Sequence, residues 1–202
     1  MDSHLRKLTM QRRPLITGAA LATLAAALLC GCASPPVPAD YAAEKPVFDL
    51  QAYFNGEVTA NGVFTDRAGK VARRFTVLMK CSWVGDDGVL DEDFTYSDGK
   101  KERRVWRLKK LAGAAGNSGG VTRYTGTADD VVGTATGEAA GNAFRWNYTL
   151  RLPVDGSVYE VQFDDWMYLM NERVMINKAV MSKFGVRLGE VTLAFDKPAG
   201  KP

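Results

Sequence analysis

Histidine is nearly absent from this sequence. The one histidine among 202 residues is His4, which lies in an N-terminal segment that we expect to be removed during export. A chain without histidine has no Ser-His or Cys-His nucleophile system and no histidine-ligated metal. Composition therefore excludes these classes of enzyme for the mature chain, and we assign neither a catalytic residue nor a metal or other cofactor.

Cysteine is also scarce, with three residues, Cys30, Cys32 and Cys81. The first two lie at the end of a segment typical of a secretory signal, in which an Arg-Arg pair precedes an apolar stretch over residues 16–29. The arginine pair fits an ordinary signal or a twin-arginine signal. The pattern predicts a signal peptide over residues 1–31, with a helical apolar region.

The sequence LCGC, residues 29–32, resembles the bacterial lipobox. Leu29 stands three positions before Cys32, and the residue directly before Cys32 is the small Gly31. The resemblance implies cleavage before Cys32, diacylglyceryl transfer to its thiol, acylation of the new amine and hence lasting membrane attachment. A plain signal peptide with an incidental cysteine is the alternative. Ala33 follows instead of an aspartate that would indicate inner-membrane retention, so the pattern favours the periplasmic face of the outer membrane.

Charge is balanced after residue 31. The N-terminal segment holds four of the 26 basic residues and one of the 23 acidic ones, so the mature chain carries equal numbers of each. A net charge near zero excludes the basic footprint of a nucleic-acid-binding protein. With Cys32 acylated, Cys81 has no partner for an intramolecular disulfide, even in the oxidising periplasm.

Short alternating segments separated by turn signals make up most of the chain. Residues 32–46 are rich in proline and alanine, which predicts a flexible tether. Residues 47–197 show no helical period, and signals such as GDDG, SDGK, PVDGS and MNER divide them into roughly ten short strands. This pattern is typical of one antiparallel sandwich or barrel domain.

The stretch VYEVQFDDWMYLM, residues 158–170, holds two adjacent carboxylates in an apolar run. Asp155 and Gly156 form a strong signal for a two-residue hairpin turn just before it. In that register Trp146 opposes Asp165, and one face of the hairpin becomes nearly all apolar. A slip of one residue would mix the two faces, so the hydrophobic pattern supports this register.

The next hairpin assigns the two carboxylates to different faces. With Asn171 and Glu172 as its turn, Lys178 opposes Asp165 on the apolar side. Neighbouring residues of a strand point to opposite faces, so Asp164 points outward and Asp165 inward. The two are therefore not expected to act together as a catalytic pair.

Two further turns add charge to the same inner face. A turn at residues 86–87 pairs Glu92 with Cys81, and a three-residue loop within SDGK pairs Glu92 with Trp106. Buried charge is costly unless it is paired, and a barrel with a partly wet interior accommodates it more easily than a packed sandwich. We therefore expect an all-β, antiparallel up-and-down barrel of about eight to ten strands. Its inward-facing charged residues are Glu92, Arg104, Asp165 and Lys178.

Four stretches resemble the DUF3833 family of bacterial envelope lipoproteins: DLQAYFNGEVTANGVFTDRAGKVARRF, LDEDFTYSDGKKERRVW, YTGTADDVVGTATGEAAGNAFRWNYTL and FDDWMYLMNERVMINKAVMSKFGVRLGEVTL. The resemblance covers nearly all of the mature chain. It implies a lipocalin-like barrel whose function is unknown and no catalytic motif. Members are often encoded near genes for fatty-acid modification, which is an association and not a mechanism.

Three classes of function remain open. The first is a tethered binding module for a fatty acyl or other apolar ligand, in which Arg104 or Lys178 meets a carboxylate head group. The second is an enzyme acting on such a ligand, with Glu92 or Asp165 as general acid or base. The third is a structural or assembly lipoprotein of the envelope.

Several residues allow a structural interpretation as well as a functional one. Trp106 and Trp146 are candidates for lining the ligand, or they are core residues. Asp129 and Asp130, in the stretch TGTADD, fit a cation site or a solvated turn. Their neighbours in the fold decide between these interpretations.

Overall fold

A closed β-barrel is the main feature of the computed structural model, which describes residues 34–112, 120–154 and 156–198. The predicted signal peptide, Cys32 and Asp155 lie outside the described residues. Ten antiparallel strands follow one another in chain order, and the first pairs with the last. This confirms the predicted all-β, up-and-down barrel. The strands are β1 (Gly56–Asp66), β2 (Val71–Val84), β3 (Asp87–Tyr96), β4 (Lys101–Lys110), β5 (Thr122–Thr127), β6 (Ala135–Ala140), β7 (Ala143–Val154), β8 (Ser157–Leu169), β9 (Val174–Lys183) and β10 (Val186–Asp196).

The β7–β8 hairpin has the register that its sequence predicts. Trp146 opposes Asp165, and Tyr148 opposes Phe163, with the two rings stacked at a centroid distance of 4.9 Å. Asp165 is buried inside the barrel, whereas Asp164 is only half-buried and points outward. The predicted separation of the two carboxylates is confirmed.

The predicted register of the β8–β9 hairpin is wrong by one residue. Asp165 opposes Ala179, and Lys178 opposes Trp166 on the outer face. The Asn171 side chain accepts hydrogen bonds from the backbone N–H groups of Arg173 and Val174, at 2.9 and 2.8 Å. This cap closes a three-residue loop instead of the expected two-residue turn. A shift of one residue moves every side chain of β9 to the opposite face of the sheet. Lys178 therefore lies outside the barrel and Asn177 inside it.

The β2–β3 and β3–β4 registers each differ from prediction by two residues. Glu92 opposes Met79 on one side and Arg104 on the other. The β2–β3 turn lies one position earlier than expected, where Gly85 has a φ of +58°, a conformation that glycine adopts readily. An even shift preserves the faces, so Glu92 and Arg104 still point inward as predicted.

One end of the barrel is closed by the chain that precedes β1. A short helix, α1 (Leu50–Tyr53), begins at Asp49, whose side chain accepts from the Ala52 N–H at 2.9 Å. Phe54, directly after the helix, is 2% exposed and packs edge-on against Phe195. The Trp83 indole N–H donates to the Phe54 carbonyl at 2.7 Å. These contacts hold α1 as a plug across the interior, and we call this the closed end.

The predicted tether is partly docked on the barrel. Residues 38–41 form a 3-10 helix, and the Tyr41 ring packs edge-on against Trp166 and Tyr168 on β8. The unit Pro36–Pro202 is compact by itself and contains every buried core residue among those that the structure describes. We therefore expect this unit to fold without the N-terminal segment.

The opposite end of the barrel, the open end, carries short connections. Four of its strand pairs are joined by hairpin turns, and the longer segment 128–134 links β5 to β6. Inward-facing side chains here are only partly buried, although they pack on the core. They include Phe64, Phe75, Phe94, Leu152 and Leu193. Among the described residues no helix has the length and apolar character needed to cross a membrane.

Candidate functional site

An ion pair lies inside the open half of the barrel. Arg104 on β4 donates from Nε and Nη2 to both carboxylate oxygens of Asp130, at 2.7 to 3.1 Å. β4 pairs with β5 only from Arg107 onward, so segment 128–134 occupies the place of the missing ladder and brings Asp130 to Arg104. The Arg104 side chain is 21% exposed. Its Nη1 donates to none of the described residues.

Glu92 faces this ion pair from the neighbouring strand. It opposes Arg104 directly, and no described residue donates a hydrogen bond to its carboxyl group. Burial raises the pKa of Glu92 from its ordinary value of 4.5 to about 7; Arg104 opposes the shift, and Asp130 and Asp165 add to it. The side chain nevertheless keeps some accessible surface. Near neutral pH this carboxyl group is therefore partly protonated and able to donate a hydrogen bond.

A second acid, Asp165, lies on the other side of the interior. It is 6% exposed and accepts hydrogen bonds from the Asn177 amide and, at 3.3 Å, from the Tyr148 hydroxyl. Burial raises its pKa to about 7, although these two donors oppose the shift. Burial also raises the pKa of Tyr148 well above 10, so its hydroxyl stays a donor.

Trp106 and Trp146 belong to the packed core and are 6% and 4% exposed. Their rings meet edge-on at 5.6 Å. The Trp146 ring fits here because two residues that face it, on the short strands β5 and β6, are glycines. A Cβ at Gly137 would lie 2.3 Å from the ring, and one at Gly126 would lie 2.7 Å from it. The two tryptophans therefore form the floor of the open half and are not freely exposed to it.

The structure places most of the predicted charged site residues inside the barrel and one of them outside it. Glu92, Arg104 and Asp165 all point into the interior. Lys178 does not: it lies outside, 57% exposed, with its Nζ 3.3 Å from a Glu190 carboxylate oxygen. The proposed Asp165–Lys178 pair is wrong because the β8–β9 loop is one residue longer than expected.

Sequence reasoning missed two partners in the cluster. Asn177 was hidden by the error in the β9 register, since in the expected register it points outward. Asp130 appeared as one of two acids in a turn, and its partner Arg104 is 26 residues away. A signal for Asp130 was present, because Arg104 was expected to point inward without an assigned partner, and a buried cation requires an acid.

The cluster can exchange protons and offers hydrogen bonds inside a largely apolar wall. It combines two carboxyl groups that have pKa values near 7 with the Arg104–Asp130 ion pair and one phenol. Over the described ranges of the chain, no group of three or more histidine, cysteine, aspartate or glutamate residues has the geometry to hold a metal ion. Cys81 is a free, buried thiol with a pKa that burial raises to about 12.

Comparison with known proteins decides the family. The model of a family described as a protein of unknown function, DUF3833, matches residues 26–197. The chain belongs to the DUF3833 family. No curated protein matches it.

The DUF3833 barrel also carries grooves away from this cluster. One of about 610 Å³ runs over β1, β2, β3, β9 and β10, and most of its lining side chains point outward. Phe75 and Tyr96 at the open end contribute to its lining, but Glu92, Arg104 and Asp165 do not. We therefore locate the candidate site by its chemistry, in the open half of the barrel, and not by groove size.

Proposed function

We propose that this DUF3833 protein is a lipid-anchored barrel of the cell envelope that binds a fatty acyl chain or another apolar ligand through its open end. The observation that carries the proposal is the partly accessible aromatic wall above a polar cluster. Phe94 and Tyr148 keep accessible surface in this half, and Glu92 and Arg104 lie beside them. An apolar wall with a few convergent polar groups is typical of a ligand site.

Arg104 is the group that favours a ligand with an oxygen-bearing head. Asp130 occupies Nε and Nη2, which leaves the Nη1 donors for another acceptor. Its guanidinium carbon lies 5.6 Å from the centroid of the Phe94 ring, so a head group at Nη1 would place its chain beside that ring. A carboxylate or ester oxygen is the acceptor that such a fork binds best.

The protonation of Glu92 determines whether that acceptor is tolerated. When Glu92 is protonated, Arg104 faces one full negative charge, that of Asp130, and a carboxylate ligand can approach. When Glu92 is ionised, two carboxylates already surround the guanidinium. We therefore expect an anionic ligand to bind more tightly below pH 7 than above it, because its binding and the ionisation of Glu92 oppose each other.

The N-terminal sequence supports an anchored, envelope location. LCGC follows an apolar stretch, and Cys32 in it is the expected acylation site on the periplasmic face of the outer membrane. Mass spectrometry of membrane-extracted protein tests this: a mature N-terminus at Cys32 carrying lipid is expected. A periplasmic product with an unmodified Cys32 would contradict the anchor but leave the ligand hypothesis standing.

A fragment that starts at Ser34 tests the ligand hypothesis without the anchor, since it contains the whole compact unit. We expect it to take up a fluorescent fatty acid with saturation at one molecule per barrel. Phe94→Ala should weaken uptake, and the double variant Arg104→Gln, Asp130→Asn should weaken it while removing both charges of the ion pair together. Lys178→Ala, which alters only the outer face, is the matched control and should bind like the parent.

Two outcomes would overturn the binding hypothesis. One is an absence of bound species in both calorimetry and native mass spectrometry with envelope lipid extracts. The other is equal loss of uptake in the Lys178→Ala and Phe94→Ala variants. Either result favours the structural or assembly role, which the packed closed end of the barrel would also serve.

A second candidate, an enzyme acting on the bound chain, has one observation in its favour. Glu92 and Asp165 have pKa values near 7, where a general acid or base works best. Product analysis after incubation with unsaturated and modified fatty acids tests it. Turnover that disappears in both Glu92→Gln and Asp165→Asn, with binding retained, is the result that would establish it.

A further inference from the structure

The β7–β8 hairpin projects beyond its neighbours at the open end. On one side its last cross-strand contact is the bridge between Leu150 and Val131, with an Arg151 N–H bond to the Asp130 carbonyl. On the other side its pairing with β9 ends at Gln162. Beyond these points the described residues of the hairpin pair only with each other.

The strand ends beside the β7–β8 turn, and the neighbouring β9–β10 turn, carry several exposed apolar side chains. We call the following set the hydrophobic rim: Val154, Val158 and Tyr159 of the β7–β8 hairpin, and Phe184 and Val186 of the β9–β10 hairpin. Phe184 is 90% exposed and has a φ of +51°, which is uncommon for a bulky residue. A large apolar side chain at a strained turn tip is not explained by packing within the barrel.

Cations accompany the hydrophobic rim. The Lys183 ammonium lies 4.5 Å from the centroid of the Tyr159 ring and 5.3 Å from that of Phe184, so it joins the two hairpins. It forms no ion pair with any described carboxylate. Arg187 follows on β10 and shares the Glu190 carboxylate with Lys178, which leaves one net positive charge in that group of three.

We infer that the hydrophobic rim docks on the surface of an anionic lipid bilayer, with Phe184 in the acyl boundary and Lys183 among the phosphates. Aromatic tips flanked by cations match the chemistry of that interface. Two narrow hairpin tips offer far less than the roughly 1,000 Å² that a stable protein interface requires. A fluid bilayer closes around projecting side chains, so it does not require a broad complementary face. None of the residues of this surface belongs to the interior cluster.

Vesicle sedimentation with the unacylated fragment from Ser34 tests the inference. We expect the fragment to bind mixed phosphatidylcholine–phosphatidylglycerol vesicles and to bind phosphatidylcholine alone more weakly. Phe184→Ser should reduce binding roughly tenfold, since it removes the ring that the bilayer would bury. Lys183→Glu should reduce it about fivefold on anionic vesicles only.

Two matched variants serve as controls for exposure and for interior binding. Val84 is 82% exposed at a turn of the closed end, so Val84→Ser should leave sedimentation unchanged. Phe94→Ala alters the interior and should also leave it unchanged, although the proposed fatty acid uptake would fall.

Three results would overturn the inference: a fragment that does not sediment with either vesicle, equal losses for Phe184→Ser and Val84→Ser, or a dimer that Phe184→Ser converts to a monomer in light scattering. The last result would identify a second copy of the chain as the occupant. A parent fragment that sediments with anionic vesicles but takes up no fatty acid would contradict only the interior site.

Discussion

At the closed end of the barrel, Phe48, Leu50 and Phe54 are each at most 3% exposed, whereas at the open end Phe64 and Phe94 keep accessible surface. Both ends are lined by the same kinds of residue. The difference is that α1 crosses one end, while short turns surround the other. Composition of the wall therefore does not decide whether a barrel is filled; the chain outside the strands does.

The same comparison explains where the titratable groups lie. Glu92 and Arg104 are in the open half, close enough to the mouth that a charge retains partial contact with solvent. The closed half contains Cys81 and aromatic residues and no described ion pair among its buried core. A charge placed under the plug would lose its hydration entirely, which is costly.

The largest expected effect comes from breaking the closed end. Phe54→Ala should destabilise the protein by about 3–5 kcal/mol, because it leaves a cavity under α1. Phe94→Ala, the same change at the open end, should cost about 1–2 kcal/mol, since that ring is only partly buried. Urea unfolding of the two variants checks this. Equal losses would show that the two ends are packed alike.

The second prediction tests how the buried acids of the barrel make stability depend on pH. Folding raises the pKa of Glu92 from 4.5 to about 7 and that of Asp165 from 3.8 to about 7. Each group is therefore more easily protonated in the folded state, so the stability it contributes is full below its unfolded pKa. That contribution decreases as the pH rises towards 7. We expect the free energy of unfolding to be higher at pH 5 than at pH 8.

The size of this pH effect is limited by how far folding moves each pKa. For Glu92, the rise from 4.5 to about 7 corresponds to about 3 kcal/mol. Glu92→Gln should remove most of the pH dependence that Glu92 contributes to the free energy of unfolding, and it should stabilise the protein at pH 8. Unfolding curves at pH 5 and pH 8 measure this, with Lys178→Ala as the variant that should retain the parent's pH dependence. A stability that rises between pH 5 and pH 8 would contradict the burial of both acids.

The smallest effects test the two faces of β9. Asn177, 1% exposed, donates to Asp165, and Asn177→Ala should cost about 1–3 kcal/mol by leaving a buried acceptor without its donor. Lys178→Ala should change stability by less than about 0.5 kcal/mol, since it removes only an exposed ion pair. Thermal melts of the Asn177→Ala and Lys178→Ala variants measure the two losses of stability. A larger loss for Lys178→Ala would restore the register predicted from the sequence.

Local signals predicted the fold well and individual contacts less well. Asp155 and Gly156 were sufficient for the register of β7 and β8, because a two-residue turn admits one pairing. The next loop was misjudged because the Asn171 side chain caps three residues, a choice that depends on hydrogen bonds and not on hydrophobic pattern. The error reversed every side chain of β9, and among the candidate site residues it affected Asn177 and Lys178.

The sequence by itself determined which side chains share a face of each strand, since alternation has a period of two and is local. It also determined the class of fold, because closely spaced turns leave room only for short antiparallel strands. The tertiary structure decided which end is closed, that Asp130 reaches Arg104, and that Glu92 and Asp165 titrate near pH 7. Those properties depend on burial and on groups distant in the chain, which no short window of residues contains.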